Sequence, residues 1–153
     1  MSEKKSKYGS MIDLLQQVGE VHHKIRPDLF RSGAQKYNEA DLEELLKDEN
    51  RPVFVGIEDG RMLGYCFCIH KDYAGDPVLA DRKELYIDDL CVEESCRGQG
   101  VAGALYRHVL DYGKGIGCGF VTLNVWQGNE GAMKFYEAMG MNARSITMET
   151  KLC

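Results

Sequence analysis

The sequence predicts an α+β protein built on a mixed sheet, and three observations carry that reading. The hydrophobic period changes from helical to alternating near Pro52. An Asp59-Gly60 pair then separates two strand-like runs, and from residue 84 onward strand and helix patterns take turns almost to the end. No internal repeat, low-complexity block or linker interrupts the 153 residues, so a single domain over residues 1–153 is expected.

Taken in order, Ser10 followed by Asp13 reads as a capping signal. Leu14, Val18, Val21 and Ile25 recur at helical spacing until Pro27. Asn38 is placed to cap a second, shorter helix with Leu42, Leu45 and Leu46 on its apolar side. Val53 to Ile57 and Met62 to Ile69 alternate around Glu58-Asp59-Gly60-Arg61, which predicts an antiparallel hairpin. A third strand covers Glu84 to Val92. A helix follows from about Gly98 to Tyr112 and buries Val101, Leu105 and Val109. Phe120 to Val125 reads as the next strand, and Asn129 caps a helix that runs through Met139 and stops at Gly140. Ile146 to Glu149 is expected to form a last strand.

Bulk properties narrow the function classes. A net charge of −5 counts against a phosphate-binding surface, so no nucleic-acid partner is expected. No apolar run approaches the roughly 20 residues needed to cross a bilayer, and no membrane partner is expected. The opening Met-Ser-Glu-Lys-Lys-Ser-Lys lacks the apolar core of a secretion signal, which points to the cytoplasm. There the six cysteines would stay reduced. Cys66 and Cys68 share one strand face but do not match metal-ligand spacing, so no metal is expected.

The chemistry is concentrated where the third strand runs into a glycine-bearing turn and a helix. Gly98 and Gly100 let backbone N–H groups approach a ligand closely. The helix N-terminus adds partial positive charge, and Arg97 supplies a permanent cation. A pyrophosphate suits such a cradle. The glycines of Gly113 to Gly119 do not compete for this role, because they follow a helix and precede a strand, the reverse of a dinucleotide-binding turn.

Arg97-Gly-Gln-Gly100-Val-Ala102 resembles the (Gln/Arg)-x-x-Gly-x-(Gly/Ala) signature of the GNAT superfamily of acetyl-CoA-dependent N-acetyltransferases. The strand ending Leu90-Cys91-Val92, the segment Leu123 to Asn129 and the helix Ala132 to Glu137 are similar to the family's flanking elements, and the likeness covers about residues 53 to 140. The spacing from Asp88-Asp89 through Arg97 to Tyr136 is similar to that of diamine acetyltransferases. The family's first strand is not evident; it falls at about residues 4 to 8 or is missing.

The resemblance implies a mostly antiparallel sheet with helices on both faces and a central strand pair that splays apart to admit the pantetheine arm of acetyl-CoA. Leu90, Cys91 and Val92 would bond the arm through their main chain. Arg97, Gly98, Gln99, Gly100, Val101, Ala102 and Gly103 would hold the pyrophosphate, and Asn124 and Asn129 would touch the donor from the other side. For Asn129 a plain helix cap is an equal reading, and both roles are compatible.

The implied reaction is direct attack of an amine on the thioester. Cys91 and Cys96 have no histidine beside them to activate a covalent route. An alkylamine with a pKa of about 10 is protonated at neutral pH, so a proton acceptor is needed. Glu84 and Asp88 on the third strand are the candidates, and Asp88 acting through water is preferred. Strict alternation puts those two on one face and Asp89 on the other, unless a bulge resets the phase. Tyr136 matches the family's tyrosine near the departing sulfur. The acids Asp72, Asp76, Asp81, Glu84, Asp88 and Asp89 would favour a small cationic amine if several face the cleft. A protein or peptide acceptor is the alternative, and a non-catalytic CoA-binding module is the reading from another class. A homodimer is compatible with the resemblance.

Overall fold

In the computed structural model, which describes residues 8–153, the chain lays four helices on a four-stranded sheet. Helix α1 spans Gly9–Ile25 and α2 spans Glu39–Lys47. Strands β1 (Val53–Glu58), β2 (Arg61–Asp72) and β3 (Lys83–Val92) follow. After a short 3-10 turn at Glu94–Cys96 come α3 (Val101–Gly115), β4 (Phe120–Leu123) and α4 (Glu130–Ala138). The spatial order is β1-β2-β3-β4, antiparallel except for the parallel pair β3 and β4.

The local chemistry explains most of these elements. Asp59 and Gly60 both take positive φ (51° and 75°), so they form the two-residue loop whose twist matches a hairpin. Asn38 accepts from the Asp41 amide while Asp41 accepts from the Asn38 amide, a reciprocal cap that fixes the start of α2. Alternation along β2 sends Tyr65 and Phe67 to one face, under Leu14, Leu15, Leu42 and Leu45 of α1 and α2. Cys66 and Cys68 go to the other face, with Leu85 and Ile87, under Tyr106 and Val109 of α3. The expected helices on both faces are therefore present. A Cβ on Gly64 would come within 2.8 Å of the Cys91 carbonyl oxygen and 3.2 Å of Leu105, so the glycine lets α3 sit close to the sheet.

Four expectations change. The first helix has no side-chain cap at Ser10. It starts two residues earlier, capped at Tyr8, which packs on the core and whose carbonyl accepts from the Ile12 amide. The third helix begins at Val101 rather than Gly98, since Gly98 and Gly100 sit in the left-handed region (φ 80° and 83°) and cannot continue a helix. Strand β4 stops at Leu123, and the expected last strand from Ile146 to Glu149 does not form, since no strand edge among the described residues pairs with it. The candidate first strand at residues 4 to 8 lies outside the described residues, apart from Tyr8 in a turn.

Candidate active site

The site is set by where β3 loses a neighbour. β3 pairs with β4 only from Glu84 opposite Phe120 to Ile87 opposite Leu123. It stays paired with β2 as far as Val92 opposite Gly64. From Asp88 to Val92 one edge of β3 therefore has no strand beside it, and the pair opens into a fork. Leu90, Cys91 and Val92 lie along that edge, although the Val92 carbonyl accepts from Arg97 Nε at 3.3 Å.

At the mouth of the fork the register slips by one residue. Phe67 faces Asp89 and Cys68 faces Ile87, so Asp88 is the extra residue of a bulge. Asp88 bonds Lys36 Nζ at 2.8 Å and the Tyr37 hydroxyl at 3.1 Å. Asp89 accepts from the Tyr65 hydroxyl at 2.8 Å. Both acids thus turn toward the α1 and α2 side. Alternation alone would have separated them, and the bulge is the reason it fails. Burial pushes the Asp89 carboxyl up to about 6, against the opposing hydrogen bond from Tyr65. Glu84 sits at the closed end, 2% exposed, bonded to Arg82 at 2.6 Å and Arg144 at 2.7 Å, with Thr122 at 3.3 Å. Burial would raise its pKa, but the two guanidiniums outweigh it and hold the carboxyl below the usual range.

Beyond β3 a braced turn leads to the glycine loop. Arg61 holds Glu93 and Ser95, Glu93 also bonds the Ser95 hydroxyl, and Gln17 of α1 accepts from the Glu94 amide. Arg97, Gly98, Gln99 and Gly100 are exposed. Nothing lies within 4 Å of a Cβ built on either glycine, so open space stands over the loop. The first amides of α3, from Val101, Ala102 and Gly103, have no intrahelical acceptor. Open glycines and unsatisfied amides at a helix start leave room for an anion there.

Across the fork, Asn124 donates to the Tyr86 hydroxyl at 3.0 Å and the Asn129 side chain caps α4 by accepting from the Ala132 amide. Tyr136 packs against Tyr106 and Phe135, with ring centroids 6.1 and 5.0 Å away. Its hydroxyl has no hydrogen-bond partner among the described residues, and burial pushes its pKa up. Cys91 is buried and donates to the Leu14 carbonyl; burial pushes its thiol up to about 12, which leaves almost no thiolate at neutral pH.

The expected acidic crowd is smaller than the sequence suggests. Asp72, Asp76 and Asp81 accept from amides of their own loop, at Ala74, Val78 with Leu79, and Gly75. Sequence reasoning missed Lys36, Tyr37, Tyr65 and Arg144, which reach the acids from distant segments with no local signal. An open surface depression of about 590 Å³ adjoins Lys36 and Tyr37 and is lined also by Asp41, Glu44, Asp48 and Arg51. No group of metal-ligating side chains occurs among the described residues. No described helix is long and apolar enough to cross a membrane.

The fork between β3 and β4 thus leads, through an exposed glycine loop, to the open first turn of α3. Residues 18–141 match the Acetyltransferase (GNAT) family, and the chain belongs to it. It is 32% identical over 87 residues to N-alpha-acetyltransferase 30 of Schizosaccharomyces pombe, which covers 57% of this chain and 55% of that protein. It is 28% identical over 102 residues to an uncharacterized N-acetyltransferase of Methanocaldococcus jannaschii, covering 67% of this chain and 44% of the relative. The chain thus spans about half the length of these two relatives. Among solved structures, a mutant BH1408 protein of Bacillus halodurans superposes with a TM-score of 0.90 at 31% identity, over 95% of this chain and 94% of the other. An aminoglycoside N-acetyltransferase in complex with CoA shares the fold, with a TM-score of 0.61 at 23% identity over 88% of this chain and 92% of that one.

Proposed function

We propose that this chain transfers an acetyl group from acetyl-CoA directly to a primary amine, in the cytoplasm, and that the amine is small and cationic. The observation that carries the donor assignment is the fork next to the open cradle at Gly98 and Gly100. Those residues fit the arm and the pyrophosphate: an unpaired strand edge from Asp88 to Val92, Arg97, and the free amides at the start of α3. Acetyl-CoA supplies the activated thioester.

The chain's own residues do the rest. Asp88 takes up the amine proton through water, held in place by Lys36 and Tyr37. The geometry weighs against Glu84 as the proton acceptor, since two arginines lower its proton affinity and burial keeps it away from solvent. Tyr136, whose hydroxyl has no hydrogen-bond partner among the described residues, offers it to the charge that develops on sulfur. With Cys91 protonated, nothing favours an acyl-enzyme at that position.

For the acceptor, an open surface depression adjoins Lys36 and Tyr37, the two residues that hold Asp88. Its lining carries Asp41, Glu44 and Asp48 against Lys36 and Arg51, and Lys36 is already committed to Asp88. A cationic amine suits that balance. The alternative, a protein N-terminus, rests on the S. pombe relative's name.

The test has two arms. Acetyl-CoA at a hundredfold excess over its Kd should stabilise the folded protein by about 2.7 kcal/mol in a thermal melt, and Gly100→Glu should abolish the shift. Thiol release should then be measured with a panel of polyamines, aminoglycosides and N-terminal peptides. A melt unmoved by millimolar acetyl-CoA sinks the donor assignment. Binding without turnover of any amine turns the reading to a CoA-binding module, and peptides outpacing small amines turns it to the alternative.

A further inference from the structure

One amine of the chain already lies at the proposed proton acceptor. Lys36 Nζ is 2.8 Å from Asp88 Oδ2, on the bulged residue where β3 and β4 part. The Tyr37 hydroxyl meets the same oxygen at 3.1 Å, so Asp88 keeps a partner when the lysine moves. Lys36 comes from the loop between α1 and α2, and its side chain is 46% exposed. The ammonium can therefore swing on its flexible stem without unpacking a helix. Lys47, by contrast, meets Glu44 at 3.5 Å on the exposed side of α2, away from the fork.

We propose that Lys36 is an acetylation site of the chain itself, so that the first amine Asp88 presents to the thioester is its own. The step rests on the reading of the fork as the acetyl-CoA site. Asp88 accepts a proton from the Lys36 ammonium, and the freed amine attacks the thioester carbonyl. The N–C bond forms, the C–S bond breaks, and the electron pair leaves with sulfur. Of the two protons lost from nitrogen, one ends on sulfur and the other in solvent. The product is an uncharged amide.

Unaided acetyl-CoA would choose other lysines, because it reacts with amines that lose their proton easily. Burial favours the neutral form of Lys36, yet the Asp88 hydrogen bond and charge outweigh burial and hold its pKa above the usual lysine value. Selective modification there needs both Asp88 and a bound donor. The consequence falls on the acceptor side. Lys36 and Arg51 are the cations that line the depression beside Asp41, Glu44 and Asp48. Once acetylated, Lys36 no longer pairs with Asp88 as a cation, which frees that carboxylate for an incoming ammonium and leaves the rim more negative. One slow turnover on itself opens the site to its acceptor.

The test incubates the full chain with acetyl-CoA and no added amine, and follows acetylation of each lysine by peptide mass mapping. Lys36 should be modified at least about tenfold faster than Lys47, and faster still as pH rises. Its rate constant should not change when the protein is diluted, since each lysine meets its own Asp88. Asp88→Asn should slow Lys36 at least about tenfold and leave Lys47 as it was, while thermal melts show that the variant still binds acetyl-CoA. Lys36 found acetylated on isolation counts the same way, provided Asp88→Asn isolated alongside it is not. In the acceptor assay Lys36→Gln, which imitates the uncharged amide, should show a polyamine KM several-fold below that of Lys36→Arg, which keeps the charge. Equal rates at Lys36 and Lys47, a rate constant that climbs with protein concentration, undiminished Lys36 acetylation in Asp88→Asn, or equal KM values for the two Lys36 variants overturns the proposal. If acetyl-CoA binds and added amines turn over while Lys36 stays unmodified, the proposal falls and the donor reading stands. If acetyl-CoA moves no melt, both fall. Should Asp88→Asn not fold, the ratio of Lys36 to Lys47 and the dilution series decide.

Discussion

The two ends of β3 treat their carboxylates in opposite ways. At the closed end, β3 lies between β2 and β4. Glu84 is buried there with two guanidiniums and a threonine hydroxyl, and its proton affinity falls below the ordinary value. At the open end β4 has left. Asp89 is buried with only a neutral phenol in direct contact, and its proton affinity rises to about 6. Tyr136, also on the open side, has a hydroxyl with no partner among the described residues. At the closed end Glu84 is fully partnered, although His70 Nε2 on the neighbouring strand is buried without a hydrogen-bond partner among the described residues. The fork brings Asp89 closer to neutrality and leaves the Tyr136 hydroxyl free to donate a hydrogen bond, while burial makes the Tyr136 proton itself harder to remove.

The largest expected effect tests the open end directly. Tyr136→Phe keeps the ring and its packing against Tyr106 and Phe135, yet should lower kcat by roughly ten- to a thousandfold with acetyl-CoA affinity nearly unchanged. Steady-state kinetics with a direct binding measurement separates the two. Full kcat with chemistry rate-limiting would return Tyr136 to a packing role. Asp88→Asn belongs beside it: activity should fall most at neutral pH and recover partly at higher pH, where free amine is more abundant. Glu84→Gln should keep the wild-type profile, and the reverse result would exchange the roles of the two ends.

Stability against pH separates the ends by sign. Asp89 has a raised pKa in the folded chain, so its burial is tolerated fully below the unfolded value near 4 and becomes a penalty as pH rises to about 6. Asp89→Asn should therefore be neutral below about pH 4 and stabilising above pH 6, by at most about 3 kcal/mol. Glu84 has a depressed pKa, so its contribution is present above the unfolded value and lost as pH falls through the folded one. Glu84→Gln should destabilise at neutral pH by about 1–3 kcal/mol, tempered because the stranded Arg144 is exposed enough to regain water. Melts of both variants from pH 3.5 to 8 give the two curves, and parallel curves would abolish the distinction.

The donor side was legible because its chemistry is local. The capping residues of α2 and α4, the Asp59-Gly60 turn and the run from Arg97 to Ala102 each dictate backbone shape within a few positions. The strand pair was legible in order but not in length, because residues 124 and 125 look as strand-like as those before them and only the fork removes their partner. The acid side was not legible. Which way Asp89 points depends on a single bulged residue, and what meets Asp88 depends on a loop some fifty positions earlier. Arg144 reaches Glu84 from a segment that reads as a strand and does not form one within the chain.

The smallest effect bears on which groups select the acceptor. If selection came from the whole acidic stretch before and along β3, long-range attraction would dominate and salt would suppress it strongly. Asp72, Asp76 and Asp81 are engaged by their own loop, and Glu84 is neutralised by its arginines. The acids nearest Lys36 and Tyr37 are Asp41, Glu44 and Asp48, which also have local partners in the Asn38 amide, Lys47 and the Asn50 amide and are further offset by Lys36 and Arg51. At about 0.15 M salt the Debye length is roughly 8 Å, so only charges lining the depression act on a bound amine with much force. The preference for a polyamine over a neutral amine in kcat/KM should accordingly be modest, a few-fold to about tenfold. It should weaken by no more than about threefold between 50 and 500 mM salt. Asp48→Asn and Glu44→Gln should each reduce the preference, while Asp76→Asn should leave it alone. A steep salt dependence that tracks Asp76 would restore the loop acids to the account and move selection away from the depression.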